Sequence, residues 1–351
     1  MGRKKKTLPK NFDELINVGD ISALKEVFTH CELDARGGFS KSTALSFFEI
    51  PNELVRWLVE QGADINARDN YGRTALHQHA ISWCGNTELL LDLGADIEAI
   101  DYQNETPLFA ATGSFKPDAV HTLVTRGANI SAENNMKQTP LEKALAVCRN
   151  ADIVNMAPIA DILLNAGTTV TPEMKDSIKR IGKDFEFHRE GFNKEYLHKT
   201  DEALLRLYEL FDVSPIEKRK THDGTSSITV STEGWQAQHN ELWSLLIPSK
   251  GHAKTVQGEV IRITGKVSYE ILDNGGINWD NQYRKMLNSL IHYFNQGTSL
   301  NPAALQEAVT LTKDLHNGNG SHEPARLCEL AVHWVLSNPN PIALEQPDYK
   351  R

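Results

Sequence analysis

The sequence predicts an all-α protein in which a helical repeat is followed by further helices. Two observations predict this class: short motifs recur at nearly constant spacing in the first half, and apolar residues recur at helical spacing in the second half. The 351 residues are enough for two or three domains, and 40% hydrophobic and 24% charged residues are ordinary values for a globular chain.

Two series of motifs run in step through the first half of the chain. The tetrapeptides TALS, TALH, TPLF and TPLE recur every 31 to 33 residues, beginning at Thr43, Thr74, Thr106 and Thr139. The tetrapeptides GADI, GADI and GANI begin at Gly62, Gly94 and Gly127. The threonines suit a helix N-cap and the glycines suit a helix C-terminus, so each unit is predicted to be a turn and two short helices. Such a unit cannot bury its apolar face alone, and we expect consecutive units to stack.

These two series resemble the ankyrin repeat over residues 11–171, and FDELINVGDISALKEVFTH is similar to an N-terminal capping repeat. Only His77 keeps the histidine of the family's TPLH motif, whose usual role is to bond neighbouring repeats. The stack is therefore expected to be weaker where Ser46, Phe109 and Glu142 take its place. The last repeat is longer than the others, and VCRNADIVNMAP is expected to form an extended loop between its helices.

The resemblance implies a concave face, made of the turn tips and the first helix of each repeat, that binds a protein partner. The residues that it places on this face are Arg68, Asn70, Tyr71, Arg73, Gln78, Trp83, Tyr102, Gln103, Glu105, Asn135, Met136 and Gln138. We expect Tyr71, Trp83 and Tyr102 to anchor the partner, because rigid aromatic side chains lose little conformational entropy on binding. For Trp83, packing between repeats is the alternative.

The second half is predicted to continue the solenoid with a helical cap and an all-α C-terminal domain. Residues 172–212 carry apolar residues at helical spacing and are expected to cap the stack. The Pro- and Lys-containing segment at 213–227 predicts a linker, and 228–351 is the C-terminal domain, with SSITVS as a candidate short strand. Gly258 and Gly265 lie seven apart in a helical stretch, which predicts that another helix or a tryptophan ring packs closely against them.

The stretch EILDNGGINWDNQYRKML suits either a turn between two helices or a ligand-binding loop. In the first interpretation Asn274, Gly275 or Gly276 ends one helix, and Asn278 or Asp280 caps the next. In the second interpretation a pocket is formed by Glu259, Arg262, Glu270, Asp273, Trp279 and Asp280. The spacing matches neither a calcium loop nor a phosphate-binding loop, and we favour the turn.

Negative charge is concentrated in the repeats. Residues 11–171 hold 11 Lys and Arg against 22 Asp and Glu, a net charge of −11 in a chain whose formal total is −9. An acidic body disfavours nucleic acid, because like charges repel, and favours a basic protein partner. The basic segment Arg3–Lys6 is expected to be solvated and disordered.

The chain is expected to be cytoplasmic and to need no membrane. No apolar run reaches the roughly 20 residues of a membrane-spanning helix. The four cysteines, Cys31, Cys84, Cys148 and Cys328, form no CxxC pair and are expected to be buried free thiols in a reducing compartment.

The favoured hypothesis is a non-enzymatic protein-binding module without metal or cofactor. No GxSxG, HExxH, Walker or GxGxxG pattern is present. Residues 241–287 also resemble the C-terminal region of some bacterial ankyrin-repeat proteins, which can occur as immunity partners of polymorphic toxins. That resemblance implies an inhibitor whose acidic face covers a basic toxin. The alternatives are an enzyme or small-ligand receptor with its site in 228–351 and the repeats recruiting its target, or an effector whose repeats bind a host protein.

Overall fold

The computed structural model describes residues 3–351 and divides into two compact units. The first unit runs to Phe185 and includes Asn193–Ile216, and the second comprises Glu186–Phe192 and Glu217–Arg351. Helices dominate both units, which confirms the all-α class. The bounds of the expected cap, 172–212, and linker, 213–227, stay predictions. No helix of residues 3–351 is long and apolar enough to cross a membrane.

The first unit contains a small sheet and helices α1 to α11, except for the last turn of α10. The strands are Lys5–Thr7 (β1), Cys31–Gly37 (β2) and Ser42–Thr43 (β3). The helices are Phe12–Val18 (α1), Ile21–His30 (α2), Asn52–Glu60 (α3), Ala75–Ala80 (α4), Thr87–Asp92 (α5), Pro107–Gly113 (α6), Pro117–Thr125 (α7), Pro140–Val147 (α8), Ile153–Asn165 (α9), Pro172–His188 (α10) and Lys194–Phe211 (α11). The last turn of α10 belongs to the second unit.

The N-terminal basic segment was expected to be disordered, but part of it forms a strand. β1 pairs in parallel with β2, which pairs in antiparallel fashion with β3. The Lys4 ammonium donates a hydrogen bond of 2.6 Å to the carbonyl oxygen of Phe28. The expectation was wrong for Lys5 and Lys6, which belong to β1, because the edge of β2 offers their backbone a partner. Their side chains remain exposed.

The repeats have the predicted turn and helix pair. Thr74, Thr106 and Thr139 occupy the N-cap positions of α4, α6 and α8 in extended backbone conformation. The glycines that follow the second helices have the positive φ angles that favour this residue, between 89° and 105° at Gly62, Gly94, Gly127 and Gly167. Each repeat therefore ends its second helix in the same way, which keeps the repeats in phase.

His77 bonds neighbouring repeats as the resemblance implied. Its Nδ1 accepts a hydrogen bond of 3.1 Å from the Thr74 backbone N–H, and its Nε2 donates one of 2.9 Å to the carbonyl oxygen of Glu105. At the matching position, the Glu142 carboxylate accepts from the Thr139 backbone N–H at 2.8 Å. The cap within the repeat is thus kept, but the carboxylate cannot donate to a carbonyl of the next repeat.

The extra residues of the last repeat lengthen a helix more than a loop. α9 has 13 residues where α7 has 9, and the connection before it contains only 148–152. The expectation of a loop throughout VCRNADIVNMAP was wrong for its second half. Ile153, Met156 and Ala157 are buried on α9, and their burial outweighs the amide hydrogen bond that Pro158 cannot make.

The second unit is a helical bundle around a buried central helix. Its helices are Trp235–Leu246 (α12), Val256–Ser268 (α13), Asn281–Phe294 (α14), Pro302–Asp314 (α15) and Glu323–Ser337 (α16). α13 packs against α12, α14 and α16, and ten of its 13 residues are buried. The candidate strand SSITVS was wrong, because residues 226–231 form no ladder of backbone hydrogen bonds.

Close packing at the two glycines of α13 is confirmed. A Cβ atom on Gly265 would lie 2.4 Å from the ring of Trp243 on α12, and one on Gly258 would lie 2.7 Å from the Cβ of Ala253. Both distances are shorter than any ordinary carbon contact. Glycine at these positions therefore allows α12 and the preceding loop to approach the backbone of α13.

The turn interpretation of the DNGGINWD stretch is also confirmed. After α13 the chain makes one wide turn at Tyr269–Asp273, and Gly275 and Gly276 follow with φ angles of 63° and 72°. Asp280 is the N-cap of α14, and its side chain accepts hydrogen bonds from the backbone N–H groups of Gln282 and Tyr283.

The cysteines are all free, and three of the four are buried. Burial raises the pKa of the Cys148 thiol to about 12 and that of the Cys328 thiol to about 11. The expectation was wrong for Cys84, which is exposed in the loop between α4 and α5. The cytoplasmic location stays a prediction.

His79 is a buried histidine that connects two repeats. Its Nε2 donates a hydrogen bond of 3.0 Å to the carbonyl oxygen of Leu45, and its Nδ1 accepts one of 3.0 Å from the Asn86 backbone N–H. Burial lowers the pKa of His79 to about 4. The ring is therefore neutral in the folded chain at neutral pH.

We predict that acidification destabilises the chain partly through His79. Its pKa is lower in the folded state than in the unfolded state, so its full contribution is present above about pH 6.5 and is lost as the pH falls towards 4. Between about pH 7.5 and pH 5 the loss is about 2 kcal/mol of unfolding free energy. Urea unfolding of H79Q should show a correspondingly weaker pH dependence than the parent chain.

The control for this prediction is H121Q, which changes an exposed histidine of the same unit. Its unfolding should follow the parent chain at both pH values. An unchanged pH dependence in H79Q would show that protonation of other groups governs the acid sensitivity.

Candidate functional site

The turns before α4, α6 and α8 share one hydrogen-bond pattern. The Asp69 Oδ1 atom accepts hydrogen bonds of 2.8 and 3.0 Å from the backbone N–H groups of Tyr71 and Arg73. Equivalent bonds of 2.8 to 3.1 Å run from Gln103 and Glu105 to Asp101, and from Met136 and Gln138 to Asn134. We call Asp69, Asp101 and Asn134 the turn anchors. Each anchor satisfies two backbone amides and so fixes the shape of its turn.

Backbone hydrogen bonds join each turn to the one before it. The N–H of Tyr102 donates to the carbonyl oxygen of Tyr71 at 3.0 Å, and the N–H of Asn135 donates to that of Gln103 at 2.9 Å. The N–H of Asn70 donates in the same way to Ser40, also at 2.9 Å. The donor is always the residue after an anchor. The turns therefore form one continuous ladder along the repeats.

Large apolar side chains stand exposed on this ladder. The exposed fractions are 44% for Tyr71, 69% for Tyr102 and 75% for Met136, and Phe39 in the first turn reaches 89%. We call these four side chains the tip row. The ring of Tyr102 lies over Gly72, where a Cβ atom would be only 2.8 Å from it. Such a row on a rigid backbone is typical of an interaction surface.

The sequence prediction missed Phe39. It lies in the irregular hairpin GGFSK, where the repeat motif is weakest. Its position in phase was nevertheless a usable signal, because Phe39 lies four residues before Thr43, as Tyr102 lies four residues before Thr106.

Trp83 is exposed but does not belong to the tip row. It lies in the loop after α4, whereas Tyr71 lies in the turn before that helix. Its ring is 63% exposed, and the Lys116 ammonium lies 3.8 Å from the ring centroid. This cation–π contact links two neighbouring repeats. The structure therefore separates Trp83 from the two tyrosines with which it was grouped.

The predicted face carries little negative charge of its own. The anchors Asp69 and Asp101 are buried beneath their exposed turns, and the Glu105 carboxylate pairs with the Lys143 ammonium at 2.5 Å. Arg68, Asn70, Arg73, Gln103 and Asn135 are exposed on the turns, and Gln78 and Gln138 are half-buried. Exposed carboxylates of the repeats lie on the second helices, such as Glu60, Glu88 and Asp118, and in the loops before the anchors, such as Glu98 and Glu133.

A second candidate site is an open cavity of about 850 Å³ in the second unit. It lies beside α12, the end of α13 and the turn that follows. Its walls include Trp235, His239, Trp243, Lys266, Tyr269, Glu270, Asp273 and Tyr283. Of the six side chains expected to form a pocket, only Glu270 and Asp273 line this cavity.

Glu259 and Arg262 form a buried ion pair that does not line the cavity. The guanidinium of Arg262 donates to the Glu259 carboxylate at 2.6 and 2.9 Å, and the Tyr349 hydroxyl donates to it at 2.7 Å. Burial by itself raises the pKa of Glu259, but Arg262 outweighs it and holds that pKa below its ordinary value. The two charges neutralise each other inside the protein, although the Nη1 atom of Arg262 is buried without a hydrogen-bond partner among residues 3–351.

The other expected pocket residues have helix-end contacts. Glu270 accepts hydrogen bonds from the Asn278 backbone N–H at 2.6 Å and from the Asn274 side chain at 3.0 Å. Burial favours a higher pKa for Glu270, but these hydrogen bonds hold its pKa below the ordinary value. The Trp279 ring stacks on Tyr283 with centroids 4.8 Å apart. Glu270 thus holds the turn closed.

Asp280 forms an ion pair of 2.9 Å with Arg351. This partner holds the pKa of Asp280 below its ordinary range. Among residues 3–351, no three His, Cys, Asp or Glu side chains are grouped as a metal site requires. The six side chains therefore lie in three separate settings: a buried pair, a turn and a cavity wall.

Comparison with known proteins identifies the repeats. Residues 15–101 match the family model of ankyrin repeats, in three copies. An ankyrin repeat protein of Variola virus is 31% identical over 105 residues, which is 29% of this chain and 18% of that protein. Alpha-latrotoxin-Lg1a of Latrodectus geometricus is 30% identical over 134 residues, which is 36% of this chain and 9% of that protein. The chain thus spans less than a fifth of the length of these relatives.

A solved ankyrin repeat domain from Acinetobacter baumannii aligns with 56% of this chain and 96% of its own length, at 22% identity and a TM-score of 0.41. The match of residues 15–101 confirms that the chain contains ankyrin repeats.

We predict that the turn anchors act as acceptors and not through their charge. D101A removes the acceptor of two turn amides and should lower the free energy of unfolding by about 1–3 kcal/mol. D101N keeps an Oδ1 acceptor, as Asn134 does in the next repeat, and should cost less than about 1 kcal/mol. Urea unfolding of both variants measures the difference, and equal losses would show that the charge of Asp101 is what matters.

Proposed function

We propose that this chain binds a protein partner through the tip row, Phe39, Tyr71, Tyr102 and Met136. Ankyrin repeats are protein-interaction modules, and the single observation that carries the proposal is the exposure of these apolar side chains on a hydrogen-bonded ladder. The proposal needs no chemistry at the site, because binding through apolar tips requires only that a partner remove them from water.

The ladder supports binding because it orders the tips before a partner arrives. The backbone of each turn is held by an anchor and by the preceding turn, so little backbone entropy remains to be lost on association. Aromatic side chains such as Tyr71 and Tyr102 then bury a large area with few rotatable bonds. Residues of this kind carry most of the binding energy of an interface.

The polar neighbours of the tip row favour specificity. Arg73 lies over the Tyr71 ring, with its guanidinium carbon 5.8 Å from the ring centroid. Asn70, Gln103 and Asn135 are exposed at the same turns and offer amide groups at the edge of the row. An apolar centre with a polar rim is the usual anatomy of a protein interface.

The finer part of the proposal is that the partner is basic and that the chain inhibits it, as an immunity protein inhibits a toxin. The support is the net charge of −11 on residues 11–171. The exposed carboxylates of the second helices, such as Glu60, Glu88 and Asp118, act at long range. They attract a cationic protein towards the repeats, and the apolar tips then hold it.

We expect photo-crosslinking to place the partner on the tip row. A photoreactive phenylalanine analogue at position 71 or 102 of the full chain should capture the same protein in native lysate. The analogue at position 196 is the matched control, because Tyr196 is 55% exposed on α11 of the same unit. Capture at position 196 with none at the tips would contradict the proposal.

The affinity for that partner should depend on the tips together. The variant Y71A/Y102A/M136A should bind at least about 100-fold more weakly, because each interface anchor contributes about 1–2 kcal/mol. Y196A should bind like the parent chain. Equal affinities for the triple variant and the parent would exclude the tip row as the contact.

Electrostatic attraction should appear in the association rate. Raising the ionic strength from about 0.02 to 0.15 M should slow association about tenfold and change dissociation little. The charge-reversal variant E60K/E88K/D118K should associate slowly at both ionic strengths. An association rate that is independent of salt would contradict the proposal that the partner is basic. It would not contradict binding through the tip row.

A further inference from the structure

The cavity of the second unit has one cationic side chain without a partner. Lys266 lines it, and among residues 3–351 its ammonium has no hydrogen bond and no ion pair. Two other cations differ in this respect: Arg262 is paired with Glu259, and Arg351, which also lines the cavity, is paired with Asp280. An unpaired half-buried ammonium is costly, because it has lost water and gained no acceptor.

The electrostatic surroundings of Lys266 agree with an incomplete site. Burial, with a further contribution from the charge of Arg262, lowers the pKa of Lys266. Glu270 lies one helical turn away, but its oxygens accept hydrogen bonds from the turn at Asn274 and Asn278. No group of residues 3–351 accepts a hydrogen bond from the Lys266 ammonium, and an anion in the cavity would accept one.

Aromatic side chains of α12 form one wall of the cavity. Trp235, His239 and Trp243 recur every four residues along α12 and so lie on one face of that helix. His239 and Trp243 are nearly parallel, at 25° with centroids 6.4 Å apart. Burial lowers the pKa of His239 to about 4, so this ring is neutral and forms part of an uncharged wall. Flat rings of this kind favour a flat ligand.

We propose that this cavity binds a small aromatic monocarboxylate, with its carboxylate on the Lys266 ammonium and its ring against Trp235 and Trp243. One unpaired cation matches one negative charge. Glu270 and Asp273 line the same cavity and repel a second negative charge, which disfavours a phosphate dianion. A volume of about 850 Å³ accommodates a ligand of this size. The inference concerns the second unit and does not depend on the tip row.

The test uses calorimetric titration of the full chain with 2-naphthoate and with its neutral analogue 2-naphthamide. Naphthoate should bind at least about tenfold more tightly, because only the carboxylate forms a charge-assisted hydrogen bond with Lys266. K266Q should bind both compounds equally, whereas K266R should keep a preference for the carboxylate. K313Q is the matched control, because it removes an exposed lysine of the same unit.

Three results would overturn the proposal. The first is equal affinity of the parent chain for naphthoate and naphthamide, and the second is an undiminished preference in K266Q. The third is tighter binding of adenosine 5′-monophosphate, which would show that the cavity accepts a phosphate. If K266Q does not fold, K266R and the comparison of the two naphthyl compounds with the parent chain still decide the matter.

Discussion

The repeat half of this protein depends on satisfying the backbone amides of exposed turns. A turn at the edge of a helical stack has N–H groups that no helix can pair, and left to water it would adopt many conformations. One oxygen atom of Asp69, Asp101 or Asn134 takes up two of these amides, and the preceding turn takes up a third. Stacked helices provide the stability of the unit, but this bonding gives it a surface of fixed shape.

The second unit has a different requirement, because its central helix α13 carries charged side chains inside the core, and these charges must be paired. α13 buries a carboxylate and a guanidinium one turn apart, and each is the main partner of the other. Gly265 on the same helix lets the Trp243 ring approach, which fills space that a larger residue would occupy. Lys266 lies on the same helix, and its ammonium has no ion-pair partner among residues 3–351. Arg262 and Lys266 therefore differ in role: Arg262 is a paired structural charge, and Lys266 is a candidate binding charge.

Periodicity predicted most of the repeat half, because each unit repeats the same local chemistry. The threonine caps and the positive-φ glycines follow from residues within one period, whereas the role of His77 was implied by the resemblance to the ankyrin repeat. Phe39 was missed because its hairpin lacks the motif. α9 was misjudged because the extra residues of the last repeat were assigned to a loop, whereas their burial favours a helix. In the second unit the glycines of α13 and the cap at Asp280 were predictable from local sequence. The open face of α13 could not be predicted, because the sequence does not show that Arg262 is paired and that Lys266 is not.

The same backbone hydrogen bond joins neighbouring turns along the repeats, which makes gain or loss of whole repeats possible during evolution. The backbone N–H of the residue that follows an anchor donates to a carbonyl oxygen of the preceding turn. Where that turn has its own anchor, the acceptor lies two residues after it, as Tyr71 does for Tyr102 and Gln103 does for Asn135. Loss or duplication of one whole period therefore recreates an equivalent junction. The number of modules is free to change by recombination within the gene, so that the breadth of the contact surface can evolve without redesign of its parts.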